Sequence, residues 1–132
     1  MIGLDTNVLI RYFAQDDASQ SKKATALIES LSAERPGYVS QVALVEVAWV
    51  LGRCYGVERD QVKDILESMV ATKELIVEGA DTVRKALRVF ATSDKADFAD
   101  CLIERSGHLA ACEYTATFDV TASKVVGMRL IK

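Results

Sequence analysis

Apolar side chains follow two alternating patterns along the chain. Short apolar runs are typical of buried strands, whereas apolar residues three and four positions apart are typical of helices. The short runs predict strands at 2–4, 38–40, 75–77, 114–118 and 128–131. Helical spacing predicts helices starting at Val8, at a Ser19 or Ser21 cap and at an Asp81 cap, and over 41–55, 60–71, 96–106 and 120–124. Gly56 and Gly107 are predicted to end two of them.

Strands that alternate with helices indicate an α/β fold. We expect a central, mostly parallel sheet of about five short strands flanked by helices. The 132 residues suit a single domain over 1–132. Ligands of such sheets bind beyond the carboxyl ends of the strands. Asp5 and Asp119 each directly follow a predicted strand, so both are expected at that edge.

Composition narrows the choice of compartment and partner. A formal net charge of −3 argues against binding nucleic acid by bulk electrostatics, although metal-binding carboxylates would reverse the local potential. Three cysteines without a CxxC pair argue against a disulfide framework and favour a cytoplasmic protein. The longest apolar run, 42–51, is too short to span a bilayer, so no membrane association is expected.

Glu46 is the most informative single residue, because it interrupts a helix that is otherwise apolar on nearly all sides. A buried, unpaired carboxylate costs several kcal/mol or becomes protonated. A metal ion, a pairing arginine or a hydrogen-bonded neutral acid would each remove that cost. The alternative is a position at the helix surface, or a pair with Arg11 or Arg53.

Four further acids have both a capping and a metal-binding interpretation. Asp5 can cap the first helix, but Thr6 and Asn7 can also cap it and leave Asp5 free. Asp100 is followed by apolar residues, which places it close to the buried side of its helix. Asp97 suits a cap or a supporting group, and Asp119 can cap the helix at 120–124.

Thr117 lies two positions before Asp119 and therefore on the same side of its strand. Its hydroxyl is placed to hold a carboxylate or a metal-bound water. Carboxylates gathered at strand ends suit Mg²⁺ or Mn²⁺, which activate water against phosphodiesters. The single histidine, His108, lies just past a predicted helix end, where a surface or capping role is more common than catalysis. No second histidine, nucleophile motif or glycine-rich phosphate loop is present. Metal-activated water is the chemistry that remains.

Four segments then resemble one family when taken in order: IGLDTNVL at 2–9, SQVALVE at 40–46, DFADCLI at 97–103 and TFD at 117–119. Together they resemble PIN-domain proteins, particularly the VapC-like toxins of toxin–antitoxin pairs. The resemblance spans the whole chain. Each motif is weak alone, but four at suitable spacings are specific.

The resemblance implies a function and a set of residues. It implies Asp5, Glu46 and Asp100 as an acidic triad and Asp119 as a fourth acid, with Asp97 competing for the third position. Thr6 and Thr117 match supporting positions. It further implies an Mg²⁺- or Mn²⁺-dependent endoribonuclease that acts as a toxin, forms a homodimer and is inhibited by a cognate antitoxin.

Other interpretations remain open or fail on particular residues. A non-toxin RNA-processing nuclease and an inactive RNA- or protein-binding module stay possible. A receiver domain fails because Glu78-Gly79, not an aspartate, follows the third strand; a dehalogenase-like phosphatase fails because Asn7 stands where it needs a second aspartate. For RNA contact, Arg11 is the best candidate because it starts near the acids. The group Arg84, Lys85 and Arg88 is more often a solvated helix face.

Overall fold

The computed structural model describes residues 1–132 and contains seven helices and five strands. They follow one another as β1 (Ile2–Gly3), α1 (Thr6–Ala14), α2 (Ala18–Glu29), β2 (Gly37–Val39), α3 (Gln41–Arg53), α4 (Arg59–Ala71), β3 (Leu75–Val77), α5 (Ala80–Thr92), α6 (Phe98–Leu109), β4 (Ala116–Thr117), α7 (Val120–Val125) and β5 (Arg129–Leu130). The chain divides into two compact units, Met1–Glu78 and Gly79–Lys132. None of the helices has the length and apolarity needed to cross a bilayer.

The first unit is built on a three-stranded parallel sheet in the order β1-β2-β3. Gly37 pairs with Ile2 on one side and with Leu75 on the other, so β2 is the central strand. The strands are only two or three residues long, and most of the core comes from the helices. Its fully buried side chains include Leu9, Ile10, Val39, Leu44, Val47, Leu51, Leu66 and Met69.

The second unit combines a helix pair with a two-stranded parallel sheet. Helices α5 and α6 pack against each other, and the rings of Phe90 and Phe98 meet edge to face with centroids 5.8 Å apart. Strands β4 and β5 pair through Ala116 with Arg129 and through Thr117 with Leu130. The parallel α/β fold is therefore confirmed, with its five strands divided into ladders of three and two.

Two predicted helix caps were wrong, each by a few residues. Helix α2 is capped by Asp17, whose carboxylate accepts a hydrogen bond from the Gln20 N–H at 2.9 Å, and not by a serine. Gly79, at φ 60°, occupies the N-cap of α5, while Asp81 lies in the first turn and pairs with Arg84. Asp17 caps α2 because it lies immediately before the first helical residue, where the free N–H groups of the first turn point.

Gly107 does not end α6, which continues to Leu109. A Cβ atom at this position would lie 2.7 Å from the Thr115 Oγ1, so the glycine serves a close approach between α6 and the segment before β4. The sequence showed a glycine near a helix end, which is the usual stop signal. Only the packing of Thr115 explains why it lies inside the helix.

This close approach predicts opposite effects of one substitution in two backgrounds. Gly107→Ala should lower the free energy of unfolding by about 1 kcal/mol, because overpacking outweighs the gain in helix propensity. In a Thr115→Ala background the obstacle is gone, and the same change should raise it by about 0.5–1 kcal/mol. Urea denaturation of the four proteins measures both effects. Equal effects in the two backgrounds would show that Thr115 does not constrain position 107.

Candidate metal centre

Asp5 occupies the N-cap position of α1, immediately after β1, but its side chain makes no capping hydrogen bond. The helix start is held instead by the Asp5 backbone carbonyl, which accepts from the N–H groups of Val8 at 3.0 Å and Leu9 at 3.3 Å. The residue is exposed. Its carboxylate is therefore not used for capping and is available for a ligand.

A hydrogen bond between α1 and α3 positions Glu46. The buried Thr6 hydroxyl donates to the Glu46 Oε1 at 2.9 Å, across 40 residues of sequence. Because Thr6 directly follows Asp5, this bond holds the Glu46 carboxylate at the helix start that carries Asp5. Two acids far apart in sequence are thus brought to the same place in the first unit.

The structure decides between the two environments considered for Glu46. The residue is exposed, because α3 turns Ala43, Leu44, Val47 and Leu51 towards the core. Its partner is Thr6 rather than Arg11 or Arg53. The helix is apolar on nearly all sides but is not covered on all of them, since Val42 and Trp49 are 71% and 58% exposed. A run of apolar residues does not reveal which of them the fold covers.

In the second unit, Asp97 and Asp100 lie at the start of α6. Asp97 is the N-cap, and its Oδ1 accepts from the Ala99 N–H at 3.3 Å. Asp100 lies in the first turn and is half-buried. Burial raises the pKa of Asp100 above its ordinary value, and the negative charges of Asp97 and Asp119 raise it further. The ionised Asp100 is therefore in an unfavourable electrostatic environment that a bound cation would relieve.

Asp119 caps the short helix α7 through one of its two carboxylate oxygens. Its Oδ1 accepts from the Ala122 N–H at 2.9 Å, which leaves Oδ2 for another ligand. The Thr117 Oγ1 accepts from the Asp119 backbone N–H at 2.9 Å. Thr117 therefore positions Asp119 through the main chain, whereas the sequence suggested a contact with a carboxylate or a water.

The family model for the PIN domain matches residues 2–127, nearly the whole sequence. This chain belongs to the PIN-domain family. PIN domains are in general nucleases, they typically use divalent metal ions, and membership implies an RNA substrate. No curated protein matched the chain.

The donor chemistry of this PIN domain fits such an ion. Asp5, Glu46, Asp100 and Asp119 offer carboxylate oxygens, the ligands that Mg²⁺ and Mn²⁺ prefer. Within neither compact unit do three or more acidic, histidine or cysteine side chains already form a cluster that would hold a metal ion. The fit therefore rests on the free carboxylate of Asp5 and on the electrostatic cost at Asp100.

Arg11, the candidate RNA contact of this PIN domain, is held in a network with three partners. Its guanidinium donates to the Gln20 Oε1 at 2.7 Å, to the Asp16 Oδ2 at 3.2 Å and to the Tyr55 hydroxyl oxygen at 3.0 Å. The Tyr55 hydroxyl in turn donates to the Asp16 Oδ2 at 2.6 Å. A phosphate would have to compete with Asp16 for this cation. Sequence reasoning missed Tyr55, which is 44 residues from Arg11 and carries no local signal.

This network predicts a pH dependence of stability. The hydrogen bond from Tyr55 and the charge of Arg11 hold the pKa of Asp16 below its ordinary value of 3.8. The hydrogen bond to Asp16 raises the pKa of Tyr55 above 10.0. Because its pKa is lowered, the Asp16 carboxyl stabilises the fold above about pH 4, and this contribution is lost in acid. Because its pKa is raised, the Tyr55 phenol stabilises the fold below about pH 10.

Tyr55→Phe should therefore lower the free energy of unfolding at about pH 7, and this difference from wild type should shrink towards about pH 3. Urea denaturation at both pH values measures it. Tyr12→Phe is the matched control, because it removes a tyrosine hydroxyl outside the network and should show no such pH-dependent difference. A Tyr55→Phe difference of equal size at both pH values would show that Asp16 does not titrate with this network.

Proposed function

We propose that this PIN domain is an Mg²⁺- or Mn²⁺-dependent endoribonuclease in which Asp5, Glu46, Asp100 and Asp119 bind the metal. The hydrogen bond from Thr6 to Glu46 is the observation that carries the proposal. It holds one acid of the family pattern at the helix start that carries another, and the carboxylate of Asp5 is not engaged in capping. The whole chain, 1–132, is proposed to act as one PIN domain.

Each protein residue has a separate task in this proposal. Thr6 orients Glu46, and Thr117 fixes the backbone of Asp119. Asp97 caps α6 and so sets the position of Asp100, one turn later. A bound Mg²⁺ or Mn²⁺ would supply a hydroxide source at neutral pH and neutralise charge on the phosphodiester.

The nuclease proposal is tested with purified protein and a single-stranded RNA. Wild type should cleave the RNA internally in Mg²⁺ or Mn²⁺ and not in EDTA. Asp5→Asn keeps the size of the side chain, and with this variant the RNA should be cleaved no faster than in buffer without protein. Equal cleavage by wild type and Asp5→Asn, or equal cleavage in EDTA, would refute the metal-dependent mechanism.

We further propose that the protein is the toxin of a toxin–antitoxin pair, acts on RNA in the cytoplasm and forms a homodimer. An active endoribonuclease would damage the RNA of its host unless it is restrained, and an antitoxin arginine can pair bidentately with exposed carboxylates. A groove of about 260 Å³ between α1 and α2, lined by Val8, Ala24 and Leu27 among others, offers an apolar seat for a partner helix.

Induced expression of the chain alone tests the toxin role. Growth arrest with new RNA 5′ ends, both abolished by Asp5→Asn, would support a toxin. Unimpaired growth with folded protein present would refute it. New 5′ ends would then indicate a processing nuclease, and their absence an inactive RNA- or protein-binding module.

A further inference from the structure

Helix α3 carries an exposed stripe formed by Val42, Glu46, Trp49 and Arg53. At 100° per residue these four positions fall within one narrow sector of the helix, opposite its buried face. Val42 is 71% and Trp49 is 58% exposed, and Glu46 and Arg53 are exposed as well. The stripe thus presents a carboxylate, an indole and a guanidinium in successive turns.

The indole is unusual at such a position. Tryptophan has only a moderate helix propensity, and an exposed helix site is satisfied at lower cost by alanine or glutamate. Trp49 is nevertheless the single tryptophan of the chain, and the residue is more than half exposed. This surface is available to a ligand.

The residues on either side of Trp49 favour a nucleic acid over a protein as that ligand. The cores of protein interfaces are depleted of charged residues, and a carboxylate buried there without a partner costs several kcal/mol. Glu46 lies one turn from Trp49, held by Thr6, and Arg53 lies one turn beyond it. In an RNA strand, each base lies between two phosphates. This order matches the stripe, with one phosphate at the metal-binding carboxylate of Glu46, the base on Trp49 and the next phosphate at the guanidinium of Arg53.

The charge of the chain limits the kinds of contact that can hold RNA. With a net charge of −3, the protein gains little from bulk attraction to RNA, so affinity has to come from local contacts. Stacking of a base on an aromatic ring is such a contact, and it does not depend on the overall charge. It also requires an unpaired base with a free face.

We propose that Trp49 is a stacking platform for an unpaired RNA base next to the scissile phosphate, and that Arg53 contacts the phosphate beyond that base. This inference rests on the proposed nuclease function and names the side chains that would hold the RNA beside the metal carboxylates. Trp49 acts as a substrate-binding residue, and Val42, on the same stripe, has no role in it.

The single tryptophan makes the contact directly observable. Titrating Asp5→Asn protein, which does not cleave, with a short oligoadenylate in Mg²⁺ should quench the emission of Trp49. An RNA duplex of the same length should quench it much less. Trp49→Ala should weaken binding of the oligoadenylate, measured with a labelled RNA, by about 10- to 100-fold, and Trp49→Phe should retain most of it.

Two further variants separate the ring and the cation from the rest of the stripe. Val42→Ala should bind RNA within about twofold of its parent, because it removes apolar surface and no ring. Arg53→Gln should reduce the salt slope of RNA binding by about one unit. An unchanged slope would remove Arg53 from the proposed track.

The outcomes distinguish this inference from the proposed nuclease function. If wild type cleaves the RNA while emission is unchanged and Trp49→Ala binds normally, the stacking platform is refuted and the nuclease stands. If RNA quenches Trp49 but wild type does not cleave, stacking is supported and the nuclease fails. If emission depends on protein concentration without RNA, and Val42→Ala and Trp49→Ala both weaken self-association, the stripe is a protein interface and the inference is overturned.

Discussion

Glu46→Gln should reduce RNA cleavage in Mg²⁺ at least about a hundredfold while the fold is retained. Glutamine keeps the shape and an oxygen that accepts the Thr6 hydrogen bond, so only the negative charge is lost. Metal-ion stabilisation of the transition state is worth several kcal/mol, and each 1.36 kcal/mol is a factor of ten in rate. Because Glu46 is exposed, the free energy of unfolding without metal should be unchanged or higher.

Single-turnover cleavage and thermal unfolding of the same preparations measure these effects. Glu67→Gln, at an exposed glutamate of α4, is the matched control and should cleave at the wild-type rate. Thr6→Val should lose about fivefold in cleavage rate, between Glu46→Gln and the control, because one hydrogen bond is worth about 1 kcal/mol. Unfolding of Glu46→Gln would instead make Glu46 a structural residue and remove it from the metal site.

Adding Mg²⁺ or Mn²⁺ should stabilise the wild-type protein, and Asp100→Asn should abolish that stabilisation. A ligand at a hundred times its dissociation constant adds about 2.7 kcal/mol to the free energy of unfolding. Without metal, Asp100→Asn should unfold at a higher temperature than wild type. A carboxyl group whose pKa is raised by folding destabilises the native state when ionised, and asparagine carries no charge near Asp97 and Asp119.

Thermal unfolding with and without metal, together with calorimetric titration of Mn²⁺, tests both statements. Asp64→Asn, at an exposed aspartate of α4, should keep the full metal-induced stabilisation. Equal Mn²⁺ binding by wild type and Asp100→Asn would exclude Asp100 from the metal ligands. A lower stability of metal-free Asp100→Asn would show that its carboxylate is not destabilising.

The sequence by itself determined the element types and most of their positions. Strand β3 lies where its apolar run predicts it, and α4 begins one residue earlier than predicted. Such elements follow from side-chain periodicity, which is a local property. The order of the four acidic motifs was also sufficient to predict the family that the comparison over residues 2–127 confirms.

The tertiary structure decided which side of each element is covered and which distant residues meet. The apolar run of α3 concealed that Trp49 and Glu46 lie on its exposed side, because composition does not reveal the position of the neighbouring elements. The bond between Thr6 and Glu46 spans 40 residues. Gly107 is a helix residue rather than a stop signal only because Thr115 packs against it. Periodicity is set by neighbours in the chain, whereas exposure and hydrogen bonding are set by neighbours in space.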